Sequence, residues 1–189
     1  MQFFNAIIAA SILAFTSAAP VYTSSEFNYI PADNAIIPSV LSQYTVSTGA
    51  INFDASFGDI SKDGVNSDIT TLLTFDIPAS LEGLTCSFHL VLDGTASVNG
   101  TGQFDIFTSQ APATQDTTSW PSGNLRDNYA GRMQAHVSAE AQYVDGFPND
   151  AQSFPCPAGH LLAGELVGTG DFDFIFWDQN ISGAYISYN

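Results

Sequence analysis

Positive charge is nearly missing from this chain. Lys62, Arg126 and Arg132 are its only basic side chains, set against nineteen acids, for a formal charge of −16. So few Lys and Arg cannot neutralise a phosphate backbone, which excludes nucleic acid as a partner. Anionic membrane surfaces are excluded on the same ground. Beyond the first nineteen residues there is no long apolar run, so no membrane-spanning helix is expected. The three histidines, His89, His136 and His160, are scattered without metal-ligand spacing. There is no H-E-x-x-H helix, no G-x-S-x-G elbow and no phosphate loop. The sequence therefore points to no metal, no cofactor and no catalytic residue.

What is present begins with an export signal. Residues 1–19 carry Phe3, Phe4, Ile7, Ile8, Ile12, Leu13 and Phe15, then the small residues Thr16, Ser17, Ala18 and Ala19. An apolar core ending in small residues reads as a secretory signal peptide. Cleavage is expected after Ala18 or Ala19; a proline at position 20 favours Ala18. The departure from the pattern is the lack of any Lys or Arg at the start. Secretion is the expected fate, outside the cell or in its wall.

Residues 20–40, with Pro20, Pro31 and Pro38, read as an extended leader. Residues 41–189 read as one domain, long enough to bury a core. The 15 phenylalanines argue against a disordered tail. Within the domain apolar residues alternate. Ile69, Thr71, Leu73, Phe75 and Ile77 share one face of a strand; Cys86, Phe88, Leu90 and Leu92 share another. Phe104 and Ile106, then Phe172, Phe174 and Phe176, continue the pattern. A period of two means strands with one buried face. Asp63-Gly64, Asp93-Gly94, Asn99-Gly100 and Asp145-Gly146 are turn dipeptides that separate them. Many short strands predict an all-β fold, an antiparallel β-sandwich or jelly roll. A long polar stretch from Thr108 to Gly131 interrupts it, and a short helical turn within 125–142 is a weak alternative.

Two cysteines in an exported chain are usually joined. A Cys86–Cys156 bridge is expected, closing a long loop and tying sheet to sheet. Asn99-Gly100-Thr101 and Asn180-Ile181-Ser182 are glycosylation sequons, of which Asn99, beside a turn, is the better exposed. For a ligand, Trp120, Tyr129 and Arg126 in the polar stretch are candidate contacts, since exposed aromatic rings stack on sugars. Asp171 and Asp173 are further candidates. They share a strand face and serve equally as one half of a hydrolytic acid pair or as calcium ligands.

Several segments carry a resemblance: Cys86-Ser87-Phe88, GTGQFDIFTS at 100–109, TTSWPSGNLR at 117–126 and FPCPAGHLLAGELVGTGDFDF at 154–174. Together they resemble fungal secreted proteins carrying the But2 C-terminal domain. The likeness spans roughly residues 40–187, and the FPCPAG run followed by GEL is its most specific part. The resemblance implies a single, two-cysteine, β-rich exported domain without a catalytic residue. Its name implies binding to a ubiquitin-pathway protein, a role inside the cell at odds with the export signal.

The expectation is a secreted, non-catalytic β-sandwich whose partner is cell-wall polysaccharide. The alternatives are a wall-active glycoside hydrolase with an acidic pair, and a ubiquitin-pathway binder.

Overall fold

A computed structural model describes residues 30–31, 33–117, 119 and 125–189. The signal-like segment, Trp120 and most of the leader lie outside them. The described strands, in chain order, are β1 (Ala35–Ile36), β2 (Val40–Thr45), β3 (Ala50–Asn52), β4 (Phe57–Lys62) and β5 (Ile69–Asp76). Then come β6 (Thr85–Leu92), β7 (Ser97–Gly100), β8 (Gln103–Ser109), β9 (Arg126–Gln134) and β10 (Ala139–Glu140). The last are β11 (Gln142–Tyr143), β12 (Phe154–Pro155), β13 (Leu161–Gly168), β14 (Asp173–Asp178) and β15 (Gly183–Tyr188). Two short 3-10 turns, Ala79–Leu81 and Asp150–Gln152, complete the chain.

The strands form two antiparallel sheets, as the alternation predicts. The small sheet runs β1-β15-β6-β10, with β12 on the other end of β6. The large sheet runs β11-β9-β8-β13-β5-β4-β14-β7, with the β2–β3 hairpin on β5, and curls into a half-barrel. The inner faces pack together. Leu73 and Phe75 of β5, Ile106 of β8 and Leu166 of β13 meet Phe88 and Leu90 of β6 and Ile186 of β15. Phe75 meets Phe88 edge to face across the gap, centroids 6.5 Å apart. Large rings in this offset geometry give more than their area alone.

Three details differ from the expectation. First, residues 125–142 hold β9, not a helical turn, so the polar connection is only 110–125. Its described part folds back over the outer face of the large sheet. Ala113 packs on Leu72 and Ile51, and Ser119 bridges to Ala50. Second, β14 presents the face opposite to its phenylalanines to the core. Asp173, Ile175 and Trp177 are buried, while Phe174 and Phe176 look outward. The reason is Gly58, opposed to Trp177 on β4. With no side chain there, the indole fits inside; a Cβ at 58 would stand 2.0 Å from it.

Third, the disulfide does not tie sheet to sheet. Cys86 lies on β6, and Cys156 directly follows β12, which pairs with β6 at Phe154↔Cys86. The bridge (Cα–Cα 4.9 Å) therefore staples one edge of the small sheet to its own neighbour. It still closes a loop of 70 residues that runs through both sheets.

Candidate functional site

The outer face of β8 and β9 gathers planar polar and aromatic side chains in cross-strand rungs. Alternation puts Gln103, Asp105, Phe107 and Ser109 outward on β8, because Phe104 and Ile106 turn inward. Their β9 partners are Gln134, Arg132, Tyr129 and Arg126. A bulge between Gly131 and Tyr129 puts Ala130 in the core and keeps Tyr129 and Arg132 on the outside. Bulges of this kind re-aim side chains.

Each rung is fixed by its own bonds. Gln103 Nε2 donates to Gln134 Oε1 at 3.0 Å. Arg132 donates through Nε and Nη2 to both oxygens of Asp105, at 2.7 and 2.9 Å, and its guanidinium lies 4.2 Å from the Phe147 ring centroid. Tyr129 Oη donates to the same carboxylate at 3.3 Å and meets Phe107 edge to face. Burial first, and Asp105 second, raise the Tyr129 phenol above its ordinary pKa. Arg126 reaches across to β13, donating to both oxygens of Glu165 at 2.7 and 2.8 Å, with its guanidinium 4.7 Å from the Phe107 centroid. Thr70 Oγ1 donates to Glu165 Oε1 at 2.6 Å. Glu165 is wholly buried although it sits on the outward side of β13. Both arginines of the chain thus lie on one stripe, each forked onto a carboxylate and stacked on a phenylalanine. Such planar, bidentate geometry is rigid.

This stripe unites two of the predicted contacts, Arg126 and Tyr129. It does not include Asp171 or Asp173, which belong to β14 and its approach, at the other end of the sheet. Those two do not share a face either. Asp171 is exposed before the strand; Asp173 is buried and accepts from Thr101 Oγ1 at 2.6 Å and Gly102 N–H at 2.9 Å. Its Oδ2 has no partner among the described residues. No group of three or more His, Cys, Asp or Glu there is placed to hold a metal. Trp120 falls outside the described residues.

The sequons sit at opposite ends of β14. Asn99 is exposed on β7, opposed to Phe174. Asn180 is exposed but tied down, its N–H and Nδ2 both donating to Asp178 Oδ1. In each sequon the hydroxyl already serves a buried carboxylate: Thr101 donates to Asp173, and Ser182 to Asp93 at 3.1 Å.

A second aromatic group, Phe57, Phe176 and Phe174, lies on the outer face of β4 and β14. Its rings are nearly parallel, at centroid distances of 5.4 and 6.3 Å. The three rings form one row, with Phe57 exposed at its end.

A third constellation carries no local signal in the sequence. On the outer face of the small sheet, His89 Nε2 lies 2.8 Å from Ser187 Oγ and Nδ1 lies 2.5 Å from Glu140 Oε1. Tyr185 stacks on the imidazole at 4.7 Å. The three residues come from β6, β15 and β10, so no local motif announces them. The order hydroxyl–imidazole–carboxylate is that of a nucleophile, its base and the group that orients the base. Ser187 sits mid-ladder, however, between Ala35 of β1 and Ser87 of β6. Its neighbouring N–H groups serve those ladders instead of pointing at a developing oxyanion, and each missing donor costs roughly 100- to 1000-fold in rate.

Between the sheets lies an apolar cavity of about 200 Å³ that is partly open to solvent. Phe75, Phe88, Phe154, Leu162, Gly164 and Ala130 are among its walls, and Asp150 stands at its side. Gly164 points inward between Leu162 and Leu166, and its missing side chain leaves part of this space.

These features define a class: a disulfide-stapled antiparallel β-sandwich with forked arginine–carboxylate pairs and aromatic rings along one outer face. A family model described as the ubiquitin 3 binding protein But2 C-terminal domain matches residues 37–181, most of the chain. The chain belongs to this But2 C-terminal domain family. A comparison with curated proteins gives no match.

Proposed function

We propose that this protein is an exported, non-catalytic binding domain that holds a neutral cell-wall polysaccharide against the outer face of β8 and β9. The carrying observation is the run of four cross-strand rungs from Gln103/Gln134 to Ser109/Arg126. Six steps of strand extend about 20 Å, long enough to lie along several sugar rings. Tyr129 and Phe147 offer apolar ring surface. The guanidiniums, carboxylate and amides offer fixed donors and acceptors for paired hydroxyls. A chain of charge −16 repels acidic polymers, which favours an uncharged glucan or chitin. The signal-like start, the disulfide and the two sequons support export.

The test is retention of the mature protein on insoluble chitin and β-glucan. Retention on one of them, lost in Tyr129→Ala and Phe147→Ala with the fold intact, supports the reading. Passage through both columns overturns it.

The family's description favours a second reading, binding to a ubiquitin-like protein. Titrating labelled mature protein with ubiquitin-like partners separates the two. Shifts confined to β8 and β9 at micromolar partner would favour this second reading over the first.

A further inference from the structure

We infer that the cavity between the two sheets is a binding site for one small, uncharged, apolar molecule of about the size of a single aromatic ring. Protein interiors pack as densely as organic crystals and rarely leave gaps larger than a water. This gap is built into the backbone. Gly164 stands mid-strand at an inward position, and a Cβ there would meet the Phe107 carbonyl oxygen at 2.9 Å. Side chains are therefore kept out of that spot by the strand pairing itself. A glycine inside a strand weakens it and marks places where a ligand or backbone approaches closely. The β9 bulge contributes Ala130 beside it, and the Asp150–Gln152 turn contributes Ala151. Three small residues thus face the rings of Phe75, Phe88 and Phe154.

The size and chemistry of the gap select the ligand. An enclosed apolar cavity of about 150 Å³ takes benzene; this one, partly open to solvent, measures about 200 Å³ and has room for one ring. Three lining residues carry polar side chains, Thr108, Glu165 and Asp150, and Thr108 is already bonded to Asn128. Glu165 is held on the outer face by Arg126 and Thr70. Asp150 is the remaining one, exposed at the side of the cavity. A hydroxyl on the ligand has an acceptor there. A carboxylate is turned away by Asp150 and by the charge of the whole chain.

This proposal does not depend on the polysaccharide reading, and its test uses no polysaccharide. Mature, disulfide-bonded protein is titrated with benzyl alcohol and, separately, with benzoate. Benzyl alcohol at about ten times its dissociation constant raises the melting temperature by about 4 °C, and shifts the side-chain resonances of Phe88 and Ile186. Benzoate does neither. Ala130→Leu fills the gap, so it abolishes the response to benzyl alcohol while melting no lower than the parent. Should Ala130→Leu fail to fold, Ala151→Leu takes its place, and the resonance shifts of the parent protein decide by themselves. Absence of any shift at Phe88 and Ile186, an equal response to benzoate, or an undiminished response in the filled variant overturns the assignment.

Discussion

Gly58 and Trp177 are opposed residues of β4 and β14, and the indole occupies the volume that a side chain at 58 would need. Three indole carbons lie 2.0–2.3 Å from the position of a Cβ there. Trp177 is wholly buried, and its Nε1 donates to Gln179 Oε1 at 2.8 Å, so the ring cannot swing away without losing that bond. Gly58→Ala should destabilise the fold by at least about 3 kcal/mol, the upper end of overpacking costs. The urea midpoint measures it. A Trp120→Phe background leaves Trp177 as the single indole, and its emission should move toward the red as it is displaced. An unchanged midpoint would mean that the indole is not seated over Gly58.

Glu165 is a carboxylate buried on the outward side of a sheet, and Arg126 is the cation that faces it. Hydrogen bonding to Glu165 is the first cause of the raised Arg126 pKa, ahead of an opposing cost of burial. Arg126→Ala removes the cation from a wholly buried acid and should cost roughly 3 kcal/mol, less than the most buried pairs because Arg126 is partly exposed. Arg126→Lys should recover only part of this, since an ammonium cannot fork onto two oxygens. Thermal melts of the three proteins should therefore rank parent, Lys and Ala. A Lys variant as stable as the parent would show that the forked geometry is immaterial.

The fold class was legible because alternation is a local signal. Cys86, Phe88, Leu90 and Leu92 do turn inward together. What alternation cannot say is which face of a strand wins when both are apolar. Between Phe174/Phe176 and Ile175/Trp177 the choice is made by Gly58, more than a hundred residues away. Likewise Glu165 reads as one more surface acid until β13 places it beside Arg126 and Thr70. Arg126 stood out as a cation in a chain nearly without them, and Tyr129 as an aromatic ring in a polar stretch. Their partners Asp105, Arg132 and Phe147 did not, because those contacts arise from strand pairing across β8 and β9. His89, Ser187 and Glu140 meet only through three-strand pairing, which no spacing in the chain records.

The Cys86–Cys156 bridge should contribute about 4 kcal/mol through the entropy it removes from the unfolded chain, in the loop-closure view. The bridge spans 70 residues, β7 to β12 among them, so reduction frees a long loop of the unfolded chain. Paired Cys86→Ala and Cys156→Ala substitutions, compared with the parent in urea, should lower the midpoint by a corresponding amount. Adding reductant should lower the parent toward the variant and leave the variant unmoved. A reductant effect on the variant would mean that the loss has another origin.

Stability should fall at alkaline pH, and the raised phenols of Tyr129, Tyr143 and Tyr185 set where. Burial first, then the Glu140 charge, pushes the Tyr185 phenol up to about 12. The same two causes, burial leading, raise Tyr143, whose Oη donates to the Phe88 carbonyl at 3.1 Å. In the unfolded chain a phenol titrates near pH 10. Below that, both states keep the protons and the contribution is fully present. Above it, the unfolded chain releases protons that the folded one retains, so rising pH draws the equilibrium toward unfolding until the folded phenols titrate too. Urea midpoints should be flat between about pH 8 and 9.5 and should fall from about pH 10 to 12. Tyr185→Phe takes one of these phenols out of the equilibrium, so its decline should be shallower than the parent's. A parent midpoint constant to pH 11.5, or a Phe variant with the same slope, would show that these phenols are not held protonated by the fold.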